Sequence, residues 1–257
     1  MQDLRISIIQ FDQAWENIPA NLTHIESLLE RLGDTDLILL PEMFHTGFSM
    51  KTSLAEDWNG NKALAQLLEW SNKYQAAIYT SLMVKENLQF LNRGVFVEPT
   101  NKTSIYDKRR SFGLGGEDSL FTAGTSETIV TYMGWKFNLQ ICYDLRFPEL
   151  IHNRLDETGN AAYDVLLYVA NWPKKRVLHW STLLQARAIE NQCYSIGVNR
   201  VGTDGNQLEY PGKSVVFDGL GAKHLEMDDL EAVQTVTLSM HELQALRKQL
   251  PFLKDKK

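Results

Sequence analysis

The sequence predicts a layered α/β fold, and three observations carry that prediction. Apolar runs of strand length alternate with segments of helical periodicity. Several of those runs are apolar at nearly every position, as strands covered on both faces are. Tight turns between neighbouring runs require some antiparallel pairing as well.

Leu4 to Phe11 is a β-branched run at the start, and Asn17 and Pro19 then offer a cap and a first-turn proline for a helix. Leu22, Ile25, Leu29 and Leu32 follow at helical spacing up to a stop at Gly33. Asp36 to Leu40 reads as a buried strand ending at Pro41-Glu42, so the chain opens β-α-β. A helix is expected over Ala63 to Tyr74, then strands over Ala77 to Val84, Gly94 to Val97 and Thr103 to Tyr106, with a hairpin turn at Glu98 to Lys102. Further strands are expected at Thr128 to Tyr132 and Trp135 to Ile141 around a Met133-Gly134 turn, and at Val165 to Ala170. A helix over about Trp180 to Asn191, strands at Tyr194 to Arg200, Ser214 to Phe217 and Val233 to Leu238, and a helix over Ser239 to Leu250 complete the set. The Lys254 to Lys257 tail is expected to fray. No repeat or linker divides the chain, which reads as one domain over residues 1–257.

With 26 Lys and Arg against 32 Asp and Glu, the formal charge of −6 argues against a nucleic-acid or anionic-membrane partner, which would reward clustered positive charge. The longest apolar stretches fall far short of the ~20 residues that span a bilayer, and the first residues lack the basic lead and apolar core of a secretory signal. Two cysteines make a disulfide framework improbable and point to a reducing cytoplasm. No metal or cofactor is expected. The six histidines form no short ligand pair, and Gly113-Leu114-Gly115-Gly116 lacks the spacing and setting of a dinucleotide loop.

Ligands of α/β proteins collect at the carboxyl ends of strands, and three reactive side chains fall at such ends: Glu42, Lys108 and Cys142. A carboxylate, an ammonium and a thiol can serve as general base, oxyanion stabiliser and nucleophile. Taken singly, each has an ordinary explanation as a solvated cap, a surface charge or a small core residue. Cys193, with no charged residue within two positions, reads as core.

The surrounding segments decide between these readings. Leu39-Leu40-Pro41-Glu42-Met43, Tyr106-Asp107-Lys108-Arg109-Arg110 and Cys142-Tyr143-Asp144-Leu145-Arg146-Phe147-Pro148-Glu149 resemble, in this order, the three signatures of the nitrilase, or carbon-nitrogen hydrolase, superfamily. Gly113 to Gly124, Asn171-Trp172-Pro173 and Arg187 to Asn191 also fit. The resemblance implies a four-layer αββα sandwich of the nitrilase type, paired as a homodimer. It implies Cys142 as nucleophile, Glu42 as general base, Lys108 with the Tyr143 N–H as oxyanion donors, and Glu117, next to Asp118, as an assisting glutamate. Many members carry a His after the Lys, where this chain has Arg109-Arg110-Ser111.

Within the family, Asn171 to Trp180, Ala186 to Asn191 and Gly197 to Gly202 are most similar to the omega-amidase branch. That resemblance implies a small-molecule substrate, a 2-oxo acid monoamide such as 2-oxoglutaramate. A nitrilase, an N-carbamoyl amidase or an amidase of deaminated glutathione would share the same triad, and a silent binding member or a thiol-redox sensor are the competing classes. An omega-amidase must hold a carboxylate away from the scissile amide, and a guanidinium grips one with two parallel hydrogen bonds. Arg146 is the first candidate, with Arg176, Lys174 and the Trp172 strand end behind it; alternatively Arg146 pairs with Asp144 or Glu149 to brace its turn. Substitution of Lys108 by Met is expected to lower turnover with little change in thermal midpoint.

Overall fold

The computed structural model describes residues 2–256. Its strands are β1 (Leu4–Gln10), β2 (Leu37–Leu39), β3 (Glu56–Asp57), β4 (Ala77–Glu86), β5 (Gln89–Val97), β6 (Thr103–Asp107), β7 (Ile129–Tyr132), β8 (Trp135–Ile141), β9 (Val165–Ala170), β10 (Tyr194–Asn199), β11 (Val201–Thr203), β12 (Glu209–Pro211), β13 (Val215–Phe217), β14 (Lys223–Glu226) and β15 (Ala232–Leu238). The α-helices are α1 (Ile18–Leu29), α2 (Lys62–Tyr74), α3 (Glu117–Leu120), α4 (Val177–Asn191) and α5 (Met240–Gln249). Among the described residues no helix is long and apolar enough to cross a membrane.

Two large sheets hold all the strands but β11 and β12, which pair with each other. One runs β15-β1-β2-β4-β5-β6 with β3 beside β4, the other β14-β13-β10-β9-β8-β7. The period of two along β1 explains how they stack: Leu4, Ile6 and Ile8 join Phe137, Leu139 and Ile141 of β8 in one core between the sheets, while Ile9 packs with Ile25 and Leu28 of α1 and Trp70 of α2 in a second. On the far side, Trp180 and Leu184 of α4 and Met240 and Leu243 of α5 close the inter-sheet core's partner layer. The order is therefore helix, sheet, sheet, helix, the four-layer sandwich that the family resemblance implies. At Gly197 a Cβ would overlap Leu184 and Trp180, so the missing side chain is what lets α4 lie directly on β10.

Local signals placed most elements. The Asn17 side chain accepts from the Ala20 N–H at 3.2 Å and caps α1, and Asn61 does the same for α2 from Leu64 at 2.7 Å. Helix α1 ends at Leu29 rather than at Gly33, and α4 begins three residues before Trp180. The β4–β5 hairpin is longer than the sequence suggests. It turns at Asn87 and Leu88, both left-handed with φ of 48° and 65°, so Gln89 to Arg93 belong to β5. The expected frayed tail is corrected: Phe252–Asp255 form a helical turn, Leu253 is buried, and Lys256 Nζ reaches Asn191 Oδ1 at 2.9 Å, Lys257 lying outside the described residues. An apolar side chain in the tail is enough to dock it.

Strands β1, β2 and β4 run parallel, as do β8, β9 and β10. Two antiparallel steps, β4 to β5 and β5 to β6, bring β6 back to the direction of β4. The carboxyl ends of β2, β6, β8 and β9 thus gather at one edge of the sandwich.

Candidate active site

Past β2 the chain buries Leu40 and Pro41 and delivers Glu42, which is fully buried rather than a solvated cap. Its backbone carbonyl is pinned by Gln13 Nε2 at 3.0 Å and Asn171 Nδ2 at 2.6 Å. Lys108, just past β6, is also buried. Its Nζ lies 2.9 Å from Glu42 Oε1 and 3.0 and 2.9 Å from the two oxygens of Glu117. Glu117 opens α3 with its side chain inside the protein, where the Phe112 N–H donates to it at 2.6 Å, whereas its neighbour Asp118 is exposed. Glu42, Lys108 and Glu117 therefore form one hydrogen-bonded cluster. Burial works against the Lys108 charge, but Glu117 and Glu42 outweigh it and hold the ammonium well above the usual lysine range. Lys108 keeps its backbone place through Gly124, whose N–H donates to the Lys108 carbonyl at 2.9 Å and where a Cβ would overlap the Asp107 carbonyl.

Cys142 is the first residue of a helical turn, Cys142–Arg146, and has φ of +43°, a left-handed conformation that turns the chain sharply off β8. Asp144 fixes that turn from within. Its Oδ2 accepts from the Ile141 N–H at 3.0 Å and from the Tyr106 hydroxyl at 2.8 Å, and its Oδ1 from the Arg110 N–H at 3.0 Å. One carboxylate so ties the cysteine turn to the segment that carries Lys108. Asn171, past β9, makes the other link: its N–H donates to Glu42 Oε2 at 3.0 Å, and its carbonyl faces Cys142 Sγ at 3.9 Å. Burial and Glu42 push the Cys142 thiol well up, with Lys108 offsetting them only in part. Cys193 lies in the core, with its thiol pushed up to about 12 by burial.

Cys142 opens onto a pocket of ≈ 680 Å³. Glu42, Lys108 and Glu117 are not among the residues that line it, and Phe48, Phe112, Tyr143 and Trp172 contribute aromatic rings to its wall beside the charged Glu16, Lys51 and Asp204. Trp172 stands where the sequence put it, past β9. Arg146 and Arg176 both reach the pocket. Arg146 does not brace its own turn: Asp144 is occupied as described, and Glu149 pairs with Arg110 at 3.2 Å. Its guanidinium instead lies over Trp172, 4.7 Å from the ring centre, and 3.2 Å from His179 Nδ1; that of Arg176 lies 5.3 Å over Phe112. Among the described residues neither guanidinium is paired with a carboxylate. Burial and the charge of Arg176 lower the Arg146 pKa. Lys174 points elsewhere, to Glu209 at 2.6 Å. Arg109, in the position where many family members have His, turns to the Tyr106 hydroxyl and the Leu150 carbonyl. Among the described residues no group of three His, Cys, Asp or Glu side chains is placed to hold a metal ion.

Sequence reasoning missed Asn92. It sits in the part of β5 read as loop, and donates to Glu42 at 2.8 Å and to Glu117 at 3.0 Å. The available signal was an amide at a strand position flanked by Phe90, Leu91, Val95 and Phe96.

Back-to-back sheets with a thiol, an ammonium and two carboxylates at one shared edge define a nitrilase-type sandwich enzyme. The sequence profile described as carbon-nitrogen hydrolase matches residues 5–248, and the chain belongs to that family. It is 40% identical to omega-amidase YafV of Yersinia enterocolitica, over 99% of this chain and 97% of that protein. It is 33% identical to a 2-oxoglutaramate amidase of Paenarthrobacter nicotinovorans, over 97% of this chain and 87% of that one. The crystal structure of XC1258 from Xanthomonas campestris, a CN-hydrolase superfamily protein with an arsenic adduct in its active site, matches with a TM-score of 0.97 at 41% identity, covering 100% of this chain and 98% of that one. The protein is a nitrilase-family amidase.

Proposed function

We propose that the protein releases ammonia from the terminal amide of a small 2-oxo acid monoamide of the 2-oxoglutaramate type, through a thioester on Cys142. The observation that carries the substrate class is the pair Arg146 and Arg176, two guanidiniums without carboxylate partners on the wall of the pocket that Cys142 enters. Each is backed by an aromatic ring, so a substrate carboxylate accepts from organised N–H donors on the wall of the pocket that Cys142 enters. The names of the relatives support the same class.

The chemistry follows from the charges. The resting thiol is protonated, because burial and Glu42 outweigh Lys108, so a base must take its proton as it attacks. Oε1 of Glu42 already accepts from Lys108 and Asn92, whereas among the described residues Oε2 accepts only from the Asn171 N–H, which makes Oε2 the oxygen with room for that proton. Sγ bonds to the amide carbon and negative charge moves to the amide oxygen. The two contacts of Lys108 to Glu117 can share one hydrogen, leaving another for that oxygen alongside the Tyr143 N–H. A donor of this kind contributes roughly 3 to 4 kcal/mol. Glu42 passes the proton to the departing nitrogen, ammonia leaves, and the acyl group stays on sulfur. Glu42 then takes a proton from water, hydroxide displaces the thiolate, and the acid and the free thiol are restored. In the same proposal the protein is a single-domain cytoplasmic homodimer, in keeping with two free cysteines and with exposed apolar side chains such as Leu178 and Phe252.

Ammonia release measured across 2-oxoglutaramate, an N-carbamoyl amino acid, an uncharged aliphatic amide and a nitrile tests the substrate class. The 2-oxo acid monoamide should give the highest kcat/KM, and Arg146→Lys should raise its KM. Faster turnover of the uncharged amide or the nitrile would refute the assignment.

A further inference from the structure

We propose that Asn92 is a positioning residue of the amidase reaction, holding the Glu42 and Glu117 carboxylates in register and reserving Oε2 of Glu42 for the Cys142 proton. The inference rests on the thiol–carboxylate mechanism above and adds to it a residue that never meets the substrate.

Asn92 lies in β5 opposite Met83 of β4, and it is buried. Its Nδ2 spends one hydrogen on Glu42 Oε1 at 2.8 Å and the other on Glu117 Oε1 at 3.0 Å, while its Oδ1 has no partner among the described residues. Turned over, the amide would set its oxygen against two carboxylate oxygens, so the charges fix its orientation. A buried carbonyl left unpaired is destabilising, and Asn is a poor strand former. An apolar side chain like its neighbours would suit the fold better, which leaves the two donors as the reason for the amide.

Their effect is geometric. Two carboxylates that share one ammonium repel each other, and the Lys108 head can rotate among them. Asn92 bridges the same pair from a rigid strand and adds a second, fixed span. Because both bridges load Oε1 of Glu42, the carboxylate has two unlike oxygens, and the one left underused is held by Asn171, whose carbonyl faces Cys142. Without Asn92 that distinction rests on Lys108 alone, which must also serve the oxyanion. Substrate binding should be untouched, since Asn92 is not among the residues that line the pocket.

The test compares Asn92→Leu, which keeps the branched outline and the number of side-chain heavy atoms and removes both donors, with Asn92→Ser, which is smaller but keeps one O–H donor. Hydrogen bonds to charged groups of this strength correspond to about ten- to a hundredfold in rate. Asn92→Leu should lose about that much kcat on 2-oxoglutaramate at unchanged KM, and Asn92→Ser should lose less. A packing role predicts the opposite order, because Ser leaves a cavity where Leu does not. Wild-type kcat in Asn92→Leu, or Leu outperforming Ser, would overturn the inference; if Asn92→Leu does not fold, the fall of kcat at constant KM in Asn92→Ser decides alone. Cys142→Ala run beside them separates the two layers: ammonia release by Cys142→Ala would remove the mechanism itself, whereas an inert Cys142→Ala with fully active Asn92 variants removes only the role of Asn92.

Discussion

Replacing Asp144 by Asn should change how stability depends on pH, and the size of the change follows from the burial of one carboxyl group. Asp144 is fully buried, and burial raises its pKa from 3.8 to about 6 against the pull of Lys108, the Ile141 N–H and the Tyr106 hydroxyl. Between those two values the folded protein binds the proton more tightly than the unfolded chain does. Stability therefore falls as pH rises through that window, and the full cost of about 2 pKa units is about 3 kcal/mol above it. Roughly half of that cost accrues between about pH 5 and about pH 7.5. Asn carries no such titration. It also accepts on one oxygen only, so either the Ile141 or the Arg110 N–H loses its acceptor, which costs about 1 to 3 kcal/mol at every pH. Urea unfolding of both proteins at the two pH values reads the difference. The variant should be the less stable at the lower pH and should recover by about 1.5 kcal/mol relative to wild type at the higher one. A stability difference that does not move with pH would refute the burial argument. The freed N–H belongs to the residue before Cys142 or to the second after Lys108, so kcat should fall in the variant even where stability is regained.

Two further outcomes follow from the same contacts. Lys108→Met should abolish most turnover and also lower the thermal midpoint, against the expectation from sequence, because a buried ammonium between two carboxylates leaves uncompensated charge when it is removed, at a cost of about 3 to 5 kcal/mol; thermal unfolding beside an ammonia assay checks both. Gly124→Ala forces the Asp107–Lys108 backbone to shift and should reduce kcat well beyond its effect on KM, as steady-state kinetics would reveal; unchanged kinetics would mean that the loop gives way instead.

Much of this site was legible in the sequence because its parts sit at strand ends that carry their own punctuation. Pro41-Glu42, the residue after Ser104 to Asp107, and the cysteine after Phe137 to Ile141 all fall where a strand-like run stops, and before Pro41 the run is apolar throughout and reports its own burial. The layering was legible only through the family resemblance, since a run apolar at nearly every position shows that a strand has two covered faces but not what covers them. The hairpin at Asn87-Leu88 was missed because neither residue is glycine, and with it went Asn92. What Arg146 does was undecided for a related reason. Its carboxylate neighbours in sequence, Asp144 and Glu149, are claimed by groups distant along the chain, Tyr106 and Arg110, and only tertiary structure shows that the guanidinium is left for the pocket.

The proposed turnover depends on one sulfur atom, and ammonia release from 2-oxoglutaramate by Cys142→Ala and Cys193→Ala, measured side by side on folded protein, tests that dependence most directly. Cys142→Ala should release none above background while keeping the wild-type thermal midpoint, and Cys193→Ala should turn over at close to the wild-type rate. Ammonia release by Cys142→Ala at the wild-type rate would contradict the account.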